Sequence, residues 1–130
     1  MELFEWCKHY IKFKDCMKRN IVSLEERDHE ILVKEKQRDI RYLIDDDINK
    51  SISALTDSLE VIVAPNTKAN FDALIDQWDE LKNHKQLTVI FCHPDNNETW
   101  LVHPSTHHHI AEQDTFKEGL QSLFEGISRV

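Results

Sequence analysis

Residues 59–64 constrain this chain more than any other stretch. They read Leu59-Glu60-Val61-Ile62-Val63-Ala64, an almost unbroken apolar run. A strand with one wet face alternates polar and apolar residues, whereas a strand covered on both faces does not. The run therefore predicts a central strand with packed layers above and below it. Pro65-Asn66-Thr67 follows; it ends the strand and caps the next helix.

A second two-faced segment lies near the C-terminus. Leu87–Pro94 and Thr99–Pro104 read as a hairpin around Asp95-Asn96-Asn97-Glu98. With Asn96-Asn97 as a two-residue turn, Ile90 pairs with His103 and Cys92 with Leu101. Val89, Phe91, Trp100 and Val102 then share one face, and Ile90 and Leu101 share the other. Both faces are apolar, so helices are expected on both sides of the sheet.

The helices are read from spacing. Leu3, Trp6, Tyr10, Phe13 and Met17 recur at intervals of three and four, with a stop at Asn20. Ile48, Ile52 and Leu55 mark a second helix, opened by Asp45-Asp46-Asp47, whose charges complement a helix N-terminus. Phe71, Leu74, Ile75, Trp78 and Leu81 mark a third. The last begins at the capping box Thr115-Phe116-Lys117-Glu118 and buries Phe116, Leu120, Leu123, Phe124 and Ile127. Between the first two helices, Ile21-Val22, Ile31-Leu32-Val33 and Ile40 with Tyr42-Leu43-Ile44 are β-branched clumps separated by polar breaks. They predict a three-stranded meander. The element order is α-βββ-α-β-α-ββ-α. This is an α/β (α+β) fold, one globular domain over residues 1–130, with a mixed sheet and helices packed on it.

Composition narrows the function classes. Both glycines, Gly119 and Gly126, fall in the final helix, which excludes a glycine-rich phosphate loop or dinucleotide fingerprint. No apolar run reaches the roughly 18 residues that span a bilayer. Glu2 and Glu5 stand where a secretory signal has its basic start. Cys7, Cys16 and Cys92 are an odd number without a disulfide spacing. These features predict a cytoplasmic protein with no membrane partner. Residues 1–41 carry ten Lys/Arg against nine Asp/Glu, a balance of +1; residues 42–130 carry six against fifteen, a balance of −9. The acidic part repels phosphate backbones. Nucleic-acid contact is left to Lys8, Lys12, Lys14, Lys18 and Arg19 on the first helix.

Three groups of residues could carry chemistry or binding. Five of the eight histidines fall within residues 92–109. Cys92, His103, His107 and His109 form a candidate site for zinc or another divalent metal, since thiolate and imidazole suit that ion. The expected register puts Cys92 and His103 on diagonal positions roughly 7–8 Å apart. His107–His109 are expected in a loop, and no paired metal-ligand spacing accompanies them. Asp45, Asp46 and Asp47 form an alternative acidic site, because carboxylates at strand ends hold Mg²⁺ in many nucleases and phosphotransferases. The order α-βββ-α-β is also that of restriction-endonuclease-like folds, an analogy of topology alone. The acid-x-Lys triplet of such sites is absent from Val33-Lys34-Glu35-Lys36-Gln37. Trp6, Tyr10 and Phe13 on the terminal helix form a candidate interface.

The sequence thus reads as a small cytoplasmic binding or regulatory module without catalytic activity. It is expected to bind a protein partner or to self-associate as a homodimer through its first helix. The alternative is a metal-dependent hydrolase or nuclease-like enzyme using the histidine hairpin or the aspartates. A weaker alternative is nucleic-acid binding through the basic helix.

Overall fold

In the computed structural model, the strands expected from residues 21–44, 59–64 and 87–104 assemble into one six-stranded sheet in sequence order. The structure describes residues 1–110 and 116–130, without the side chains of 109 and 110. Helix α1 spans Leu3–Asp15, followed by β1 Ile21–Arg27, β2 Glu30–Glu35, β3 Asp39–Ile44, α2 Ile48–Ser53 and β4 Glu60–Pro65. Then come α3 Lys68–Asp76, α4 Trp78–Leu81, β5 Leu87–His93, β6 Glu98–Val102, α5 Pro104–Ile110 and α6 Phe116–Glu125. Strands β1–β3 form the antiparallel meander, β3, β4 and β5 run parallel, and β6 returns antiparallel. The mixed α/β fold read from the sequence is the one observed. No helix among the described residues is long and apolar enough to cross a membrane.

Alternation along the strands divides the core in two. Ile62, Ala64, Val89, Phe91, Trp100 and Val102 face one side, under α2, α3, α4 and α6. There Phe91 and Trp100, paired across β5 and β6, stack with ring centroids 4.6 Å apart. Val61, Val63, Ile90 and Cys92 face the other side, where among the described residues α1 alone supplies a helical cover through Leu3, Trp6, Cys7 and Ile11. All six residues of β4 are buried, as the continuous apolar run requires.

Two polar devices fix this arrangement. Glu60 is 1% exposed and lies beside Arg41 in the parallel register. Arg41 Nη1 donates to Glu60 at 2.8 Å and to the Ala54 carbonyl at 2.9 Å; its Nε and Nη2 donate to Glu30 at 3.0 and 2.9 Å. The second oxygen of Glu60 accepts the Thr56 amide. Asn66, fully buried, uses every polar group it has. Its side chain accepts from the Trp100 indole and donates to the Phe124 and Ser128 carbonyls, and its backbone bonds Cys92 and Val130.

Several expectations are corrected. The third helix breaks at Gln77 into α3 and α4, although Phe71, Leu74, Trp78 and Leu81 stay buried. The β5–β6 turn is a four-residue loop, 94–97, so Ile90 pairs with Leu101 and Cys92 with Thr99. Asn97 takes the left-handed position (φ 61°) that asparagine tolerates, and its amide closes the loop on the His93 carbonyl. A shift of two residues leaves each side chain on its expected face. Residues 104–110 are helix rather than loop, started by Pro104, which suits a first helical turn. Helix α1 ends at Asp15, before Asn20; Phe13 in its last turn is 80% exposed, and Met17, past its end, is 91% exposed. In α6, Leu123 is 41% exposed while Leu120 and Phe124 are buried. Thr115 of the expected capping box lies outside the described residues.

Candidate functional site

The ends of β3, β4 and β5 border a crevice of about 720 Å³. Leu3, Phe4, Ile44, Pro65 and Pro94 give it apolar walls, and Glu2, Asp45, Asp46 and Asp95 give it carboxylates. His29, Thr67, Met1 and Val130 complete the lining.

Each polar group is placed by a local device. Asp45 follows β3 and accepts the Asp47 amide at 2.9 Å, a turn that starts α2. Asp47 caps that helix by accepting the Asn49 amide at 3.0 Å. The Asp46 carbonyl accepts from Asn70 at 2.9 Å. Of the three sequence-predicted aspartates, Asp45 and Asp46 reach the crevice, while Asp47 is held at the helix start. His29 stands in the turn between β1 and β2 with φ 58°, a left-handed conformation strained for a residue with a Cβ. Its carbonyl accepts the Ile44 amide, and its ring Nδ1 lies 3.4 Å from Asp45. On the far wall the Met1 ammonium lies 2.6 Å from Asp95, and this hydrogen bond holds the Asp95 carboxyl below its ordinary value.

The histidine hairpin does not converge. Cys92 is fully buried against α1 beside Cys7. Burial pushes its thiol up to about 12, and burial followed by the proximity of Cys92 raises Cys7 as well. His103 sits opposite Thr88, whose hydroxyl is 2.9 Å from its Nδ1. Thr88 is four residues from Cys92 along β5, or about 13 Å at a strand's rise. His107 lies over the other core, edge-on to Trp78 with centroids 5.7 Å apart, and burial lowers its pKa. The side chain of His109 lies outside the described residues. Among the described residues no three His, Cys, Asp or Glu side chains stand close enough to share a metal ion. Thiol titration of the native protein with Ellman's reagent at neutral pH should find one reactive cysteine, the exposed Cys16, and three after denaturation. A second fast thiol in the native state would contradict the burial of Cys7 and Cys92.

The expected helical seam is largely used within the chain. Trp6 is 2% exposed and donates to Asn97 at 2.8 Å, and Tyr10 stacks on Trp6 at 5.2 Å. Only Phe13 of that trio faces solvent. Sequence reasoning missed Glu2, His29 and Asp95 as crevice residues. Asp28-His29 and Asp95-Asn96-Asn97 read as turns, which they are, but that both turns stand over the same sheet edge follows only from strand order. No protein family and no curated protein matches the chain.

Proposed function

We propose that this protein is a small binding module whose crevice at the ends of β3–β5 takes an organic cation: an amine or guanidinium carried on a hydrocarbon stem. The observation that carries this reading is the pairing of apolar walls with the carboxylates of Asp45 and Asp46 in one crevice, where the Asp95 carboxylate already holds a primary ammonium, that of Met1. Apolar walls suit the stem, and carboxylates accept charge-assisted hydrogen bonds from the head. The crevice falls within the roughly 300–1,000 Å³ common for small-ligand sites. The rival reading, metal-dependent hydrolysis at the aspartates or the hairpin, has less support: the hairpin side chains are dispersed, and among the described residues no three His, Cys, Asp or Glu side chains stand close enough to share an ion.

Spermidine and N-acetyl-arginine amide are suitable probes, titrated by calorimetry and by NMR of the backbone amides. Binding should perturb residues 29, 45 and 95, weaken as salt rises, and fall about tenfold in Asp45→Asn. Asparagine keeps the oxygen that accepts the Asp47 amide, so the fold is preserved. Shifts confined to other surfaces, or equal affinity in Asp45→Asn, would reject the reading.

A further inference from the structure

Carboxylates and cations gather at opposite ends of the sheet. Ile21 at the start of β1 pairs with Glu35, and Lys34 pairs with Asp39 at the start of β3, so the α1–β1 connection stands at the end away from the crevice. There Lys12, Lys14, Lys18 and Arg19 are exposed. The Lys36 amide bonds the Asn20 carbonyl at 2.9 Å and brings a fifth exposed cation beside them. Among the described residues none of the five has a carboxylate partner, whereas Lys8 and Arg38 nearby are paired. Asp15, the one acid between residues 12 and 24, is turned inward: it accepts the Asn20 and Ile21 amides at 2.8 and 3.3 Å. Large apolar side chains stand among these charges, Phe13 at 80% and Met17 at 91% exposure. Helical bonding continues past Asp15, from the Cys16 amide to Phe13 and from the Arg19 amide to Asp15. Phe13 and Met17, four apart, therefore lie on one side, and Lys14 and Lys18 follow them in the same spacing. Arg19 is left-handed (φ 50°), a position glycine fills without strain, and this keeps a guanidinium at the tip.

We infer that this tip docks on an anionic lipid surface, with Phe13 and Met17 entering the headgroup layer and the five cations resting on lipid phosphates and carboxylates. Side chains this exposed have nothing rising beside them, so they form a prominence and not a groove. The adjacent cavity, about 310 Å³, is lined by Asn20 and residues 35–38 and by neither of the two. A peptide anchors in a groove. Nucleic acid would use the cations and the Phe13 ring and leave Met17 in water. A bilayer, in contrast, yields to protruding apolar side chains ringed by cations. The net charge of −8 sets the orientation: the acidic crevice end is repelled by the same surface that attracts the tip, so the docked molecule keeps its crevice in water. Such a contact needs no spanning helix, and it replaces the expectation, drawn from the short apolar runs, of no membrane partner. The inference stands apart from the crevice reading.

Flotation of the unlabelled protein with vesicles of phosphatidylserine and phosphatidylcholine in equal parts is the first test. The protein should float with these vesicles, remain behind with phosphatidylcholine alone, and be released as salt rises. Cys16, the exposed thiol between Phe13 and Met17, takes an environment-sensitive fluorophore in the native protein, and its emission should shift to the blue on the anionic vesicles. Phe13→Ser with Met17→Ser should weaken partitioning at least about tenfold with an unchanged circular dichroism spectrum, because both positions are exposed. Lys14→Glu with Lys18→Glu should abolish it. No flotation at low salt overturns the inference, as does partitioning that the serine pair leaves unchanged. So does tighter binding to oligouridylate or polyglutamate than to the vesicles, which would assign the cations to nucleic acid or to acidic protein.

Discussion

Arg41→Ala should cost about 3–5 kcal/mol in urea denaturation, because it leaves the Glu60 carboxylate buried without its cation. Glu60 is buried between β3 and α2, and Arg41 is its charged partner. The guanidinium also holds Glu30 and the Ala54 carbonyl, so it ties β2, β3, β4 and the end of α2 together. Replacing the pair together, as Arg41→Met with Glu60→Leu, should recover most of the loss, since an apolar pair of similar volume carries no desolvation cost. A loss below about 1 kcal/mol for Arg41→Ala would mean that Glu60 reaches water by a route its burial excludes.

Asn66→Leu should cost about 3 kcal/mol or more, a second large effect with a different physical origin. The substitution orphans the buried Trp100 indole N–H and the Phe124 carbonyl at once. It also removes the side-chain link to Ser128, so the chain after α6 should loosen first. Amide exchange is the check. Protection should fall most in residues 124–130, with the centre of β4 less affected. Uniform loss across the sheet, or a cost of a few tenths of a kcal/mol, would show that the links do not act as described.

These networks mark where sequence reasoning ran short. The two-faced strand, the meander and the inner faces of β5 and β6 were legible because each is a local pattern of apolar residues. Glu60 was visible only as one polar residue in an apolar run; its partner lies on a neighbouring strand, and strand order is not a local property. The hairpin register differed because Pro94-Asp95-Asn96-Asn97 closes as a four-residue loop, an alternative that the same turn-forming residues allow. Phe13 continues the apolar spacing of α1, yet spacing does not say where the sheet beneath the helix ends. Asp45 and Asp46 were legible as candidate acids, but their meeting with Asp95 depends on parallel strands ending side by side.

The distribution of helices has a consequence for the order of folding. The crossover helices and α6 share one face, and among the described residues α1 is the sole helical cover of the other. That helix precedes every strand of the sheet in the chain, yet the residues it rests on extend from Ile31 to Cys92, and Trp6 bonds a residue 91 positions away. Its apolar stripe must therefore wait, solvated, until the parallel strands have paired. Contacts of such long separation slow folding and leave sticky surface exposed meanwhile. Lys8, Lys12 and Lys14 lie on α1 beside that stripe, and like charges on two unattached helices oppose their association.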